Sequence, residues 1–189
     1  IEDCSFVKIL SKYYAEFYSK STTCNISEQA KNELLADLEF SGLNLDKFIF
    51  ISPEASSNCS YDTTFWIEIC KRLRDKDYDI FINSSSDTMK IPDCVCGLYD
   101  IEQTYYLAQM SKGIISLRSG LNDVLSTINV PHHILYTRFK CNIVSSASEN
   151  ILAFSLKYLP NVNQENISEY DTDELTSDEI IDEILREFD

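Results

Sequence analysis

The residues best suited to chemistry lie in Lys112–Leu125, where an apolar run leads into the turn Arg118–Gly120. The run Ile114–Leu117 predicts a buried strand, and an amphipathic helix is predicted from about Leu121. Backbone N–H groups at the start of a helix attract anions. Arg118 adds a planar fork of donors that matches phosphate or carboxylate oxygens. The segment therefore predicts an anion-binding turn for a diphosphate. The alternative is a plain turn whose arginine pairs with a neighbouring acid.

Alternating strands and helices must position this turn. Apolar runs predict strands at residues 46–52, 78–83, 94–98, 114–117 and 132–136, and helical periodicity predicts helices from residue 62, over 101–111, from 121 and over 145–159. This alternation predicts an α/β domain with a Rossmann-like parallel sheet and helices on both faces. Ligands of such sheets bind at the carboxyl ends of the strands. The loops at 53–60, 83–86, 98–102 and 118–123 are therefore the expected site.

Further helices are predicted outside the sheet. Two precede it, one with an aromatic stripe over residues 5–19 and one that begins after Ser27 and ends near Phe40. Residues 161–189 carry 11 of the 31 acidic residues and form either an acidic amphipathic tail helix, which docks on this domain or a partner, or a disordered segment. The expected divisions are N-terminal helices at 1–44, the Rossmann-like domain at 45–160 and the acidic tail at 161–189.

Composition excludes several classes of protein. The net charge of −15 argues against a nucleic-acid partner, and no apolar run reaches the roughly 20 residues of a membrane span. Seven cysteines without a framework spacing predict free thiols in a reducing cytoplasm, and the Cys94-x-Cys96 spacing does not fit a zinc site. The chain begins at Ile1, not at a methionine, which favours a processed chain or part of a longer protein.

Several catalytic motifs are absent. There is no Gly-x-Gly-x-x-Gly and no Walker loop, so a bound diphosphate would be held by helix N-termini and side chains. The acidic pairs at Asp77-x-Asp79 and Asp171-x-Asp173 favour solvated carboxylates over metal ligands. A structural role is favoured for His132 and His133 because no nucleophile elbow accompanies them.

The order of segments resembles a known family. The runs Phe48–Ser57, Phe65-Trp66, Tyr78–Asn83 and Gly113–Asp123 resemble the C-terminal, donor-binding half of GT-B fold glycosyltransferases, in particular bacterial surface-polysaccharide enzymes of the heptosyltransferase type. The resemblance covers about residues 45–140 and is sharpest at Arg-Ser-Gly-Leu-x-Asp. Heptosyltransferases usually have Asp-Ser-Gly there and a histidine one turn later. This sequence has Arg118 and no histidine near Val124, so no role of that histidine is transferred.

The resemblance implies transfer of a sugar from a nucleotide-diphosphate donor to a glycan or lipid-linked acceptor, with no cofactor and no essential metal. It implies a catalytic Arg118 that counters charge on the leaving diphosphate. The implied donor-binding residues are Ser56, Ser57, Ser119 and Gly120 for the phosphates, Tyr99 for the base, Glu102 or Asp123 for the ribose, and Glu54 for a sugar hydroxyl, a solvated loop acid being the alternative for Glu54.

In such enzymes the general base usually comes from an N-terminal acceptor domain, which we do not expect in this chain because about 45 residues before the first strand cannot build a second sheet. We therefore expect a cytoplasmic protein, either free or peripheral at the inner membrane, that binds donor without turnover. Two other hypotheses about the function stay open. One is a non-catalytic α/β interaction module that uses the aromatic helix at 6–17 and the acidic tail, and the other is an enzyme resembling nucleotide-sugar epimerases.

Overall fold

The structure is a computed structural model that describes residues 26–141, 144–159 and 162–189. The helix expected at 5–19 lies outside the described residues. The strands are β1 (Phe48–Ser52), β2 (Asp79–Asn83), β3 (Val95–Gly97), β4 (Ile114–Leu117), β5 (His132–Tyr136) and β6 (Ile167–Asp171). The helices are α1 (Glu28–Ser41), α2 (Thr63–Asp75), α3 (Ile101–Met110), α4 (Gly120–Leu125), α5 (Ala147–Phe154) and α6 (Ser177–Arg186), with 3₁₀ turns at Asp87–Met89, Leu156–Tyr158 and Gln164–Asn166.

The six strands form one parallel sheet in the order β3-β2-β1-β4-β5-β6. From β1, the next two strands along the chain, β2 and β3, are added on one side of the sheet. From β4, the strands β5 and β6 are added on the other side. The order therefore reverses between β1 and β4, and the loops that leave these two strands diverge to opposite faces. The predicted α/β class with a Rossmann-like parallel sheet is confirmed.

Helices cover both faces of the sheet. On one face, α2 and α6 pack on alternate strand residues such as Ile49 and Ile51. On the other face, α1, α3 and α4 pack on Phe48 and Phe50, while α5 packs over β5 and β6. All five residues of β1 are buried, as expected for a parallel strand covered on both sides. The sheet is therefore rigid where its central strands end.

The helix boundaries follow the predicted capping residues. Ser27 accepts a hydrogen bond from Ala30 N–H at 3.2 Å, and α1 ends at Gly42 in the left-handed conformation with φ of 77°. Asp62 caps α2 by accepting from Thr64 N–H at 2.9 Å. The helices α1 and α2 thus start at capping residues that the local sequence indicates.

The acidic segment differs from its prediction in one respect. It contains β6, a sheet strand that pairs with β5, as well as the predicted helix. Only Ile167 and Tyr170 of β6 are buried, so this edge strand has no apolar run for a sequence pattern to detect. Thr176 is the N-cap of α6 and forms a capping box with Glu179, and the apolar stripe of this helix is buried against the sheet. Of the two alternatives for this segment, a tail helix that docks on this domain is therefore the one observed.

The packing of Phe188, near the C-terminal end of the chain, against the sheet can be tested at Gly113. A Cβ at this position would lie 2.6 Å from Phe188 Cζ and 2.8 Å from Phe188 Cε1. We expect Gly113→Ala to lower the free energy of unfolding by about 1–3 kcal/mol, because the ring must shift in a packed core. Urea denaturation of the variant, alone and with Phe188→Leu, measures the effect. If the two changes are additive, the ring does not pack on Gly113 in solution.

Candidate functional site

A cavity of about 580 Å³ opens at the carboxyl ends of β1, β2 and β4. It lies where the strand order reverses, which is the usual ligand position in open parallel sheets. It is lined by Ser52, Glu54, Ala55, Ser56, Ser57, Asn58, Asn83, Leu98, Arg118, Ser119, Gly120, Leu121, Asp123, Phe139, Asn150 and Phe154. Most of the lining residues have polar side chains, and among the apolar ones the ring centroids of Phe139 and Phe154 lie 5.2 Å apart.

The chain after β1 crosses above β4 and pairs with the chain after β5. Cys59 N–H donates to the carbonyl of Arg138 at 2.9 Å, and Lys140 N–H donates to the carbonyl of Ser57 at 2.8 Å. The ammonium group of Lys140 donates to the carbonyl of Ser56 at 3.1 Å. These bonds hold the cavity-lining loops of two different strands in one arrangement.

All three side-chain nitrogens of Arg118 donate to acceptors within the protein. Its Nε donates to the carbonyl of Phe154 at 3.1 Å, its Nη2 donates to Asp123 Oδ1 at 2.7 Å, and its Nη1 donates to the carbonyl of Ser119. The Arg118 side chain is 9% exposed and that of Asp123 is 10% exposed. Burial raises the pKa of Asp123, and the facing guanidinium opposes that shift. The geometry matches the sequence-based alternative, in which the arginine pairs with a neighbouring acid.

A buried polar network holds the turn that follows β4. Asn122 Oδ1 accepts from the backbone N–H of Ser119 at 2.6 Å, while Asn122 Nδ2 donates to Ser116 Oγ at 2.5 Å. Ser116 Oγ and Asn122 Nδ2 lie 3.0 and 3.2 Å from His132 Nε2. Burial lowers the pKa of His132 to about 3, so the ring is neutral at physiological pH. The network thus holds the Arg118–Gly120 turn in place through buried side chains of β4, β5 and α4.

Both histidines are buried and lie outside the cavity lining. His132 and His133 are each 1% exposed, and neither lines the cavity. His133 Nδ1 lies 2.9 Å from the hydroxyl of Tyr170, and the ring stacks on the same tyrosine. The structural role favoured from the sequence agrees with this placement.

The structure brings most of the predicted site residues together. The lining includes Glu54, Ser56, Ser57, Arg118, Ser119, Gly120 and Asp123. Tyr99 and Glu102 are not among the lining residues. Tyr99 stacks on Phe81 and donates its hydroxyl to Asp37 at 2.5 Å, and Glu102 is exposed in the first turn of α3. The chain after β3 therefore turns both side chains toward α1 or solvent.

Sequence reasoning missed the three asparagines of the cavity. Asn58 and Asn83 lie in loops that were predicted to form the site, so their position offered a signal. Asn150 comes from α5, and its side chain donates to the carbonyl of Thr137 at 2.6 Å and to Asn58 Oδ1 at 3.3 Å. Asn58 Nδ2 in turn donates to the carbonyl of Arg118. No local pattern indicates that α5 reaches this cavity.

The five cysteines in the described part of the chain, Cys59, Cys70, Cys94, Cys96 and Cys141, carry free thiols. Across residues 26–141, 144–159 and 162–189, no three His, Cys, Asp or Glu side chains converge as metal ligands. None of the described helices is both long enough and apolar enough to cross a membrane.

The fold has a counterpart among solved structures. The chain is similar to ADP-heptose LPS heptosyltransferase II of E. coli, with a TM-score of 0.59 and 16% sequence identity, over 86% of this chain and 52% of that one. The chain thus spans about half the length of that protein. No family model matches the sequence, and no curated protein matches it. The glycosyltransferase-like α/β fold expected from the resemblance is confirmed, as a fold shared with a heptosyltransferase.

Proposed function

We propose that this chain is the donor-binding half of a glycosyltransferase that uses a nucleotide-diphosphate sugar in the synthesis of a surface polysaccharide or related glycan. One observation carries the proposal. A cavity lined mostly by polar residues lies at the strand-order reversal of a fold shared with an enzyme whose name includes ADP-heptose, a nucleotide-diphosphate sugar. The acceptor-binding part and the general base would belong to a further domain or a partner chain. No essential metal is expected.

The charges of the cavity constrain how a diphosphate would bind. Glu54, Asp123 and Arg118 are its charged lining residues, and together they carry a formal charge of −1. For Arg118 to neutralise the negative charge of the leaving diphosphate, the ion pair between Arg118 and Asp123 would have to open. Lys140 offers a second cation at the rim. Its ammonium group has three donors, of which carbonyls of the loop after β1 take two within the described structure.

The hydroxyls of the loop after β1 would add neutral donors. Ser56 and Ser57 are exposed and line the cavity beside the carbonyls that hold Lys140. A serine hydroxyl donates one hydrogen bond without adding charge to a site that already contains two carboxylates. We propose that these serines and Lys140 contact the diphosphate, while Arg118 stabilises the facing turn.

Gly120 provides a test that leaves the protein fold intact. It is exposed, lines the cavity, and an added Cβ would meet no atom within 4 Å. Titration calorimetry with UDP, GDP, ADP and CMP is expected to show micromolar binding of one nucleotide to the wild type. Gly120→Ala is expected to weaken that binding at least about tenfold, or 1.4 kcal/mol, because the methyl group narrows the cavity. Its free energy of unfolding should stay equal or rise by about 0.4–1 kcal/mol.

Gly42→Ala serves as the matched control. Its φ of 77° is strained for alanine, so we expect about 1 kcal/mol of destabilisation and unchanged nucleotide affinity. Equal nucleotide affinity in wild type and Gly120→Ala would place the nucleotide outside this cavity. Absence of binding for all four nucleotides in the full-length protein would refute the donor-binding role and favour the interaction module.

A further inference from the structure

Two thiols meet on the face of the sheet that α2 covers. Cys70 lies in α2 and is 1% exposed, whereas Cys94, directly before β3, is half-buried and packs against the same apolar cluster. The Cys70 thiol donates a hydrogen bond to the Cys94 sulfur. Both residues carry free thiols. The fold therefore holds a buried thiol and a partly accessible one next to each other.

A second contact between the same two segments supports this arrangement. Arg74 lies one helical turn after Cys70, so the two side chains share a face of α2. The Arg74 guanidinium pairs with Asp93 at 2.8 Å, and Asp93 immediately precedes Cys94. Asp93 has a φ of 62°, a left-handed conformation that aspartate adopts more readily than most residues. The ion pair and the turn thus hold Cys94 against α2 beside Cys70.

The surroundings favour Cys94 as the nucleophile of the pair. The hydrogen bond from Cys70 and the charge of Arg74 lower the pKa of Cys94, against its partial burial and the charges of Asp93 and Asp79. The same hydrogen bond and burial raise the pKa of Cys70. The thiolate is the reactive form of a cysteine. A cavity of about 370 Å³, lined in part by Cys70, Arg74 and Asp93, leaves room for a small oxidant beside the pair.

We infer that Cys70 and Cys94 form a reversible modification site, which hydrogen peroxide converts into a disulfide. The Cys94 thiolate attacks one peroxide oxygen and the O–O bond breaks. Cys94 becomes a sulfenic acid, and the other oxygen leaves as hydroxide, which takes up the proton released by the Cys94 thiol. The Cys70 sulfur then attacks the Cys94 sulfur, and the sulfenic hydroxyl leaves as water with the Cys70 proton. Two thiols and one peroxide thus give one disulfide and two waters, and the two electrons pass from the thiols to the peroxide.

The disulfide would connect α2 to the start of an edge strand. β3 pairs with β2 at one end of the strand order, and the chain that leaves β3 carries Leu98 into the lining of the large cavity. Neither Cys70 nor Cys94 is among the residues that line that cavity. The modification site is therefore separate from the proposed donor site, and the inference does not depend on the proposed function.

Peptide mapping of the oxidised protein tests the inference. The folded protein is treated with a small molar excess of hydrogen peroxide, its remaining thiols are alkylated, and it is digested with trypsin. The thiols in question then lie in two peptides, residues 48–71 with Cys59 and Cys70 and residues 91–112 with Cys94 and Cys96. Mass spectrometry is expected to show these peptides linked, two hydrogen atoms lighter than their sum, and separated by dithiothreitol. The absence of this linkage in the oxidised wild type would overturn the inference.

Single cysteine variants identify the two partners. Cys94→Ser is expected to abolish the linkage, whereas Cys59→Ser and Cys96→Ser, the matched controls in the same peptides, should keep it. Cys96 is a stringent control because it lies two residues from Cys94, yet its thiol donates to the carbonyl of Met89 at 3.5 Å and burial raises its pKa. A linkage that persists at the wild-type yield in Cys94→Ser, or is lost in Cys96→Ser, contradicts the assigned pair.

Cys70→Ala separates the two chemical steps. Without the second thiol, oxidation should stop at the Cys94 sulfenic acid, which dimedone traps as a stable adduct on the peptide of residues 91–112. The wild type should give about tenfold less adduct, because Cys70 consumes the sulfenic acid. Equal adduct in both proteins, or none in the folded variant, would refute the assigned roles. Cys94 is half-buried, so Cys94→Ser still tests the pair if Cys70→Ala fails to fold.

Discussion

Asp123→Ala is expected to lower the free energy of unfolding by about 3–5 kcal/mol, because it leaves the Arg118 guanidinium buried without its counter-ion. The side chains of this pair are 9% and 10% exposed, so solvent screens the pair little. The remaining partners of Arg118 are the carbonyls of Ser119 and Phe154, which carry no full charge. Urea denaturation of wild type and variant, followed by circular dichroism, measures the change.

The double variant Arg118→Met with Asp123→Leu is the control. It removes both charges and fills a similar volume, so we expect it to recover most of the stability lost in Asp123→Ala. A loss below about 1 kcal/mol in Asp123→Ala would resemble a solvent-exposed pair. That outcome would mean that the pair opens readily and would leave Arg118 free to contact a diphosphate. The stabilities of these two variants thus distinguish a structural Arg118 from one that contacts a ligand.

The second large effect is a loss of stability in mild acid. His132 is fully buried and neutral, and burial lowers its pKa from 6.5 to about 3. Between these two values the unfolded chain binds a proton that the folded chain does not, so stability rises with pH in this window. The contribution is complete above pH 6.5 and is lost as the pH falls below it. For an unfolded pKa near 6.5, the loss is about 2 kcal/mol by pH 5.

The His132→Gln variant identifies the source of this pH dependence. Glutamine keeps a polar group beside Ser116 and Asn122 but does not titrate, so the curve of unfolding free energy against pH should flatten between pH 7 and 5. Carboxyl groups, including Asp123 with its raised pKa, titrate in both proteins, so the difference between the two curves isolates His132. Wild type and variant curves with the same slope would show that burial of His132 does not cause the acid sensitivity.

The sequence alone determined the strands β1–β5, the α/β class and most of the segments that line the cavity. These features depend on local patterns, since an apolar run specifies a buried strand and the topology of a parallel sheet then specifies where ligands meet it. The capping residues Ser27 and Asp62 were readable for the same reason. The resemblance to heptosyltransferase-type enzymes predicted the shared fold, which is confirmed. The site residues implied by the same resemblance stay predictions.

Tertiary structure alone decided how the polar groups are used. Arg118 has donors that suit a phosphate, yet Asp123 and the carbonyls of Ser119 and Phe154 accept from all three of its nitrogens. The edge strand β6 and the contribution of Asn150 to the cavity depend on pairing between distant segments, which no periodicity records. A side chain's chemical capacity is local, whereas its free donors and acceptors are those that remain after distant residues have packed against it.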